Sequence, residues 1–205
     1  MSRRELRKQL RAQRRSVSPP DASAASQALC RRILTDLSFL RARHVAFYMP
    51  EDGEMDPTLL MANAASMGKH CYLPVITDTS PWHHHPLSFV LHRPFDDVMV
   101  LNRYGIPEPP YTRRTEIAPH MLDIVFVPLV GFDRRGARLG MGQGFYDRTF
   151  GGRARFHRPQ LVGLAYALQE MSDYEANSWD VPLDAVATEL EFFRVSRTRG
   201  PGRPR

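Results

Sequence analysis

At 205 residues, 42% of them hydrophobic, the chain can bury one full core without disulfides, or two small ones at most, and no stretch reaches the apolar length of a membrane span. The formal charge of +6 is uneven: residues 1–15 hold seven Arg/Lys against one acid, residues 194–205 hold five arginines and no acid, and the body between carries 16 basic and 21 acidic residues. An acidic body with basic ends argues against a nucleic-acid binder, which spreads positive charge over a folded face. Cys30 and Cys71 are isolated from each other and from any metal-ligand spacing, as expected of reduced thiols in a cytoplasmic protein. The start has charge but no apolar h-region, so no secretory signal is expected.

Helical spacing of Leu6, Leu10 and Val17 predicts a basic helix from Arg3 to about Val17. Ser18-Pro19-Pro20-Asp21 ends it, and Ala25, Leu29, Ile33 and Leu37 predict a second helix over 21–39. His44 to Met49 reads as a strand stopped by Pro50. Pro57 to Met67 reads as a helix with Pro in its first turn and Gly68 past its end. His70 to Ile76 is the next strand. Residues 77–86 are loop-like, 87–92 alternate as a short strand, and 102–115 form a Pro- and Gly-rich surface loop. Asp123 to Val130 is a continuous apolar run, the pattern of a buried parallel strand. Two more strands are expected at Leu161–Leu168 and Val186–Val195. The sum is an α/β fold, one domain over 1–193 in three layers with a mostly parallel central sheet flanked by helices. Residues 194–205 are a basic tail expected to be disordered.

The most informative stretch follows the central strand: Arg138 to Arg148 read RLGMGQGFYDR. Glycines at alternate positions (Gly140, Gly142, Gly144) let successive N–H groups point into one concavity. Arg138 enters the loop, and Phe145, Tyr146 and Asp147 leave it. Neither GxxxxGK[ST] nor GxGxxG is present. The loop suits a polyphosphate with its magnesium ion, and ligands of such sheets bind beyond the carboxyl ends of the strands.

The same residues carry a resemblance. RLGMGQGFYDR is similar to the signature of the 5-formyltetrahydrofolate cyclo-ligase (5,10-methenyltetrahydrofolate synthetase) family. The likeness runs through RRELRKQLRAQRRSVSP, YMPEDGEMD, CYLPVI, NRYGIPEP, FVPLVGFD and WDVPLDAVATE, leaving out only the last dozen residues. It implies ATP and Mg²⁺. Arg3 and Arg7 would stand at the Lys and Arg of the family's K-x-x-L-R helix and contact ATP phosphates. Arg138, Leu139, Gly140, Met141, Gly142, Gln143, Gly144, Phe145 and Tyr146 would wrap them, with Arg138 as the electrostatic clamp and Tyr146 beside it at the catalytic centre. Some relatives have Arg and Lys where Met141 and Gln143 stand here, so those two supply no charge. Asp147 and Asp180 would hold Mg²⁺, with Asp184 the competitor for the second place. Glu54 would bind the pterin of the folate, with Met49 and Pro50 lining its pocket and Tyr104 in the GIPEP loop nearby.

The implied activity is ATP-dependent closure of 5-formyltetrahydrofolate to 5,10-methenyltetrahydrofolate by a monomer, with no nucleic acid or membrane as partner. Two alternatives stand beside it: another ATP-dependent ligase or kinase of the same fold, and a nucleic-acid binder using its basic ends. On their own residues, Asp147 could pair with a helix dipole, and Asp180 or Asp184 could cap a turn. The arginines of the first helix could form a solvated face, and the acids of 51–56 a solvated turn. His83, His84 and His85 are expected in solvent rather than on a metal, and Trp82 could stack on a ligand.

Overall fold

The computed structural model describes residues 2–77, 85–94, 98–152, 158–172 and 174–196. Helix α1 spans Arg3–Arg15. It starts in a reciprocal cap: the Glu5 N–H donates to Ser2 Oγ, and the Ser2 N–H donates to the Glu5 carboxylate at 2.7 Å. It stops two residues before Val17, because Ser18 is already the N-cap of α2 (Pro19–Leu34), with proline in its first turn. The long second helix expected over 21–39 is in fact two. Asp36 interrupts it and caps α3 (Leu37–Arg41), accepting the Ser38 and Phe39 N–H groups at 2.9 and 3.1 Å.

Among the described residues, eight strands form the main sheet. In chain order they are β1 (His44–Ala46), β2 (His70–Ile76), β3 (Leu87–Leu91), β6 (Glu116–Ile117), β7 (Ile124–Pro128), β10 (Gln160–Leu164), β11 (Ala185–Ala187) and β12 (Phe192–Arg194). Their spatial order is β12-β11-β10-β7-β1-β2-β3-β6. The five inner strands are parallel, and β12, β3 and β6 are antiparallel additions at the edges. Two small ribbons sit outside it: β4 (Val100–Leu101) with β5 (Pro107–Glu108), and β8 (Gly131–Phe132) with β9 (Arg138–Leu139). The single strand expected over 186–195 is a hairpin. Leu190 and Glu191 donate N–H to Thr188 Oγ1 and reverse the chain. Arg194 therefore belongs to β12 rather than to the tail, and it hydrogen-bonds Asp36 and Ser38.

Strand alternation separates two apolar layers. Val45, Phe47, Ile124 and Phe126 face α2, α3 and α4 (Thr58–Ser66). Ala46, Val125, Val127 and Leu161 face Phe150 of α5 (Phe145–Phe150), together with Phe89 and Phe132. A third cluster, Leu10 of α1 with Val130, Leu139, Met171 and Tyr174, packs the amino-terminal helix beside the glycine loop.

The strand order fixes the site. From β1 the chain moves to β2 on one side and later returns to β7 on the other, so the order reverses between β1 and β7. A crevice opens at such a switch point beyond the carboxyl ends of the strands. The loop leaving β1 carries Glu54, and the segment leaving β7 carries the glycine loop.

Candidate active site

A cavity of about 840 Å³ occupies that crevice. The side chains and glycines expected at the site from sequence line it, with two exceptions: Pro50 and Leu139. The Leu139 side chain is 1% exposed and packs into the cluster around Leu10, because β9 alternates and Arg138 takes the cavity side. The Leu139 side chain anchors the loop in the core and does not line the cavity.

Glycine is required at two loop positions. Gly142 (φ +99°) and Gly144 (φ +65°) adopt the left-handed region. A Cβ on Gly142 would also sit 3.6 Å from the Arg7 guanidinium. Arg7 spans the loop from above and donates through Nε to the Gly140 carbonyl at 2.8 Å. Arg3, one turn earlier, donates to the Glu175 carbonyl at 2.6 Å, lies 3.5 Å from Asp180 and sits over the Tyr174 ring. Arg138 is nearly buried. It donates to the Val181 carbonyl at 2.9 Å and pairs with Asp147 at 2.5 Å. Asp147 uses the same oxygen to accept the Val181 N–H at 2.9 Å.

Asp180 and Asp184 differ in position. Asp180 lines the cavity, whereas the Asp184 carboxylate accepts the Leu161 N–H at 2.8 Å at the start of the β10–β11 ladder. Asp147 and Asp180 thus share the cavity with the glycine loop. Two carboxylates next to a phosphate loop are a suitable donor set for magnesium, which takes one or two protein carboxylates and fills its shell with phosphate and water. No group of three or more metal-ligating side chains occurs among the described residues.

The cavity is also lined by aromatic and acidic groups. Tyr104 meets Phe145 edge-on, ring centres 6.1 Å apart. The loop bearing Tyr104 is held by Asn102, whose Oδ1 accepts the Tyr104 and Ile106 N–H groups and whose Nδ2 donates to buried Glu108. Burial pushes the Glu54 carboxyl up to about 7, against the pull of Arg14 3.6 Å away and an N–H bond from Glu51. Burial, with Glu54 nearby, also raises the Tyr146 hydroxyl well above its usual range, so Tyr146 stays a hydrogen-bond donor.

Sequence reasoning missed Arg14 and Asp52. Arg14 is 1% exposed, not part of a solvated face. Its guanidinium donates to the Asp52 and Leu129 carbonyls at 3.0 and 3.2 Å and to the Asp52 carboxylate at 2.8 Å. The available signal was the stripe Arg3, Arg7, Arg11, Arg14, which continues past Leu10 on the helix face that packs inward. His83, His84 and Trp82 lie outside the described residues; the His85 carbonyl accepts the Thr77 hydroxyl at 3.3 Å.

The sequence profile described as the 5-formyltetrahydrofolate cyclo-ligase family matches residues 1–189. The chain belongs to the 5-formyltetrahydrofolate cyclo-ligase family. Curated members with that name include those of Haemophilus influenzae, 35% identical over 88% of this chain and 94% of the relative, and Escherichia coli K12, 35% identical over 90% and 98%. Among solved structures, the 5,10-methenyltetrahydrofolate synthetase of Aquifex aeolicus superposes with a TM-score of 0.79 at 27% identity, covering 99% of this chain and 97% of that one. Likeness to family members therefore spans both loops that build the cavity and the helix that crosses it.

Proposed function

We propose that this chain is an ATP-dependent 5-formyltetrahydrofolate cyclo-ligase, converting ATP and 5-formyltetrahydrofolate to ADP, phosphate and 5,10-methenyltetrahydrofolate. The observation that carries the reading is one cavity lined by two chemically distinct sets of groups. Glycine-loop amides with Arg3, Arg7 and Arg138 suit a triphosphate. Glu54, Met49, Tyr104 and Tyr146 suit a flat, hydrogen-bonding ring system. Family membership supports the same pairing of substrates.

The residues align and neutralise; none needs to act as a nucleophile. The formyl oxygen on N5 attacks the γ-phosphorus, and the bond to the ADP oxygen breaks. N10 then attacks the activated carbon and loses its proton, and the C–O bond breaks to release phosphate. An amide oxygen is a poor leaving group, and phosphorylation makes it a good one. Arg138 stabilises the charge that develops on the transferred group, in a site that partly excludes water. Tyr146, kept protonated, donates a hydrogen bond beside it. Glu54, as carboxylate, accepts two parallel N–H bonds from the aminopyrimidine edge of the pterin and fixes the ring. Asp147 and Asp180 would hold Mg²⁺, which neutralises phosphate charge when bound.

The free, buried thiols of Cys30 and Cys71 fit a reducing cytoplasm. No helix among the described residues is long and apolar enough to cross a membrane. The test is to mix purified protein with ATP, Mg²⁺ and 5-formyltetrahydrofolate and follow methenyl absorbance. The expected result is stoichiometric product and ADP. A folded sample that binds ATP yet forms no methenyl product would assign the site to a different acceptor.

A further inference from the structure

Helix α1 carries Arg3 and Arg7 to the glycine loop, yet it is held to the body by little apolar surface: only Leu10 and Arg14 are buried along its thirteen residues. Beside the Leu10 cluster and single bonds from Arg3, Arg7 and Arg14 to backbone carbonyls, one carboxylate gathers three of its arginines. Asp52, in the loop between β1 and α4, accepts Arg11 Nε at 2.7 Å and an Arg14 terminal nitrogen at 2.8 Å on one oxygen, and it bonds Arg15 through the other. Its backbone carbonyl accepts Arg14 Nε at 3.0 Å. Burial alone would raise the Asp52 carboxyl, but the bonds from Arg11 and Arg15 outweigh it and hold the group charged. Asp52 is also the one described non-glycine residue in the left-handed region (φ +55°), a conformation that Asp, Asn and Gly tolerate best. The turn so formed aims the carboxylate at three successive arginines of the helix.

The same loop presents Glu54 to the cavity, and Arg14 lies between both acids, 3.6 Å from Glu54. Resting on the function proposed above, we propose that Asp52 is a positioning residue: it clasps α1 to the pterin-binding loop, so that nucleotide on Arg3 and Arg7 and pterin on Glu54 each tighten the binding of the other. The reason is linkage. Phosphate contacts favour the seated helix. A ligand on Glu54 favours the loop conformation in which Asp52 and Arg14 meet, and that too favours the seated helix. Coupling between two sites is reciprocal by thermodynamic necessity.

The test uses the full chain and calorimetric titration of adenosine 5′-(β,γ-imido)triphosphate with Mg²⁺, with and without saturating 5-formyltetrahydrofolate. In the unsubstituted protein the folate should tighten the analogue by about fivefold or more. Asp52→Asn and Asp52→Gly both keep the backbone conformation and remove the charge. Each should weaken the analogue about tenfold and bring the folate enhancement below about twofold, with KM for ATP rising and kcat moving much less. Wild-type affinity and enhancement in these variants would overturn the proposal. So would tighter nucleotide binding, which would mean that Asp52 merely masks Arg11 and Arg15, and so would a fall in kcat at constant KM. Should either variant fail to fold, Arg15→Gln decides, since it removes one exposed partner of the clasp. About two- to threefold weaker analogue binding with reduced enhancement supports the clasp, and no change defeats it. If the unsubstituted protein gives no heat with the analogue, the functional reading itself fails. Heat there with unaltered variants defeats only the clasp.

Discussion

The two loops that leave neighbouring strands β7 and β1 solve the same problem in opposite ways. The glycine loop after β7 takes its turns from its own residues, with Arg7 adding one bond from outside: Gly142 and Gly144 set the turns, β9 feeds it, and α5 follows directly. The acidic loop after β1 has no such autonomy. Its shape depends on Arg11, Arg14 and Arg15, which arrive from a helix about forty residues earlier in the chain. A loop that makes its site from its own backbone can be recognised in a contiguous motif. A loop that makes its site from partners elsewhere looks like an ordinary polar turn until those partners are in place.

The largest effect should come from the first loop. Arg138→Ala should lower kcat about 10³-fold, with circular dichroism confirming the fold; a loss under about tenfold would remove Arg138 from the chemistry. Next is the acidic loop. Glu54→Gln should raise KM for the folate by about 10–100-fold above neutral pH, the cost of losing a charged hydrogen-bond partner.

The wild-type pH profile sharpens the same point. The folded carboxyl is at about 7 against 4.5 unfolded, so the free protein must lose a proton before Glu54 can accept from the pterin. Then kcat/KM for the folate rises with pH through about 7, and the step disappears in Glu54→Gln. Stability runs the other way. The folded state holds that proton more tightly, so the contribution is complete below 4.5 and is lost as pH climbs through 7. Urea melts across that window should show the decline, and should show it reduced in Glu54→Gln.

A smaller effect is expected at Gly142→Ala, which strains a left-handed position next to Arg7. KM for ATP should rise about tenfold with the folate KM unchanged. The smallest effect on activity belongs to Leu139→Ala. It should cost about 2–5 kcal/mol of stability in denaturant melts yet leave both KM values intact at a temperature where the protein is folded. A raised KM for ATP in that variant would put Leu139 back on the ligand side.

What could be read in advance was local. Ser2 with Glu5 and Ser18 with the prolines fix helix starts through neighbours three residues away. The apolar run at 124–128 reads as a buried parallel strand because both its faces are covered. For the hairpin at 185–194 the sequence predicts one strand, because Thr188 and Glu191, which reverse it, look like tolerable interruptions of a β pattern. The second helix was read through Asp36 because the apolar spacing continues across the break.

The sequence by itself determined most of the helices and central strands and the glycine loop with its arginine, because each of these rests on residues close together in the chain, and it determined the family through motifs spread along that chain. Only the tertiary structure decided that Arg14 is buried between two acids, that Asp180 rather than Asp184 lines the cavity, and that Leu139 does not. The pairing of β1 with β7 brings distant segments side by side, and burial there removes the water that would otherwise screen their charges.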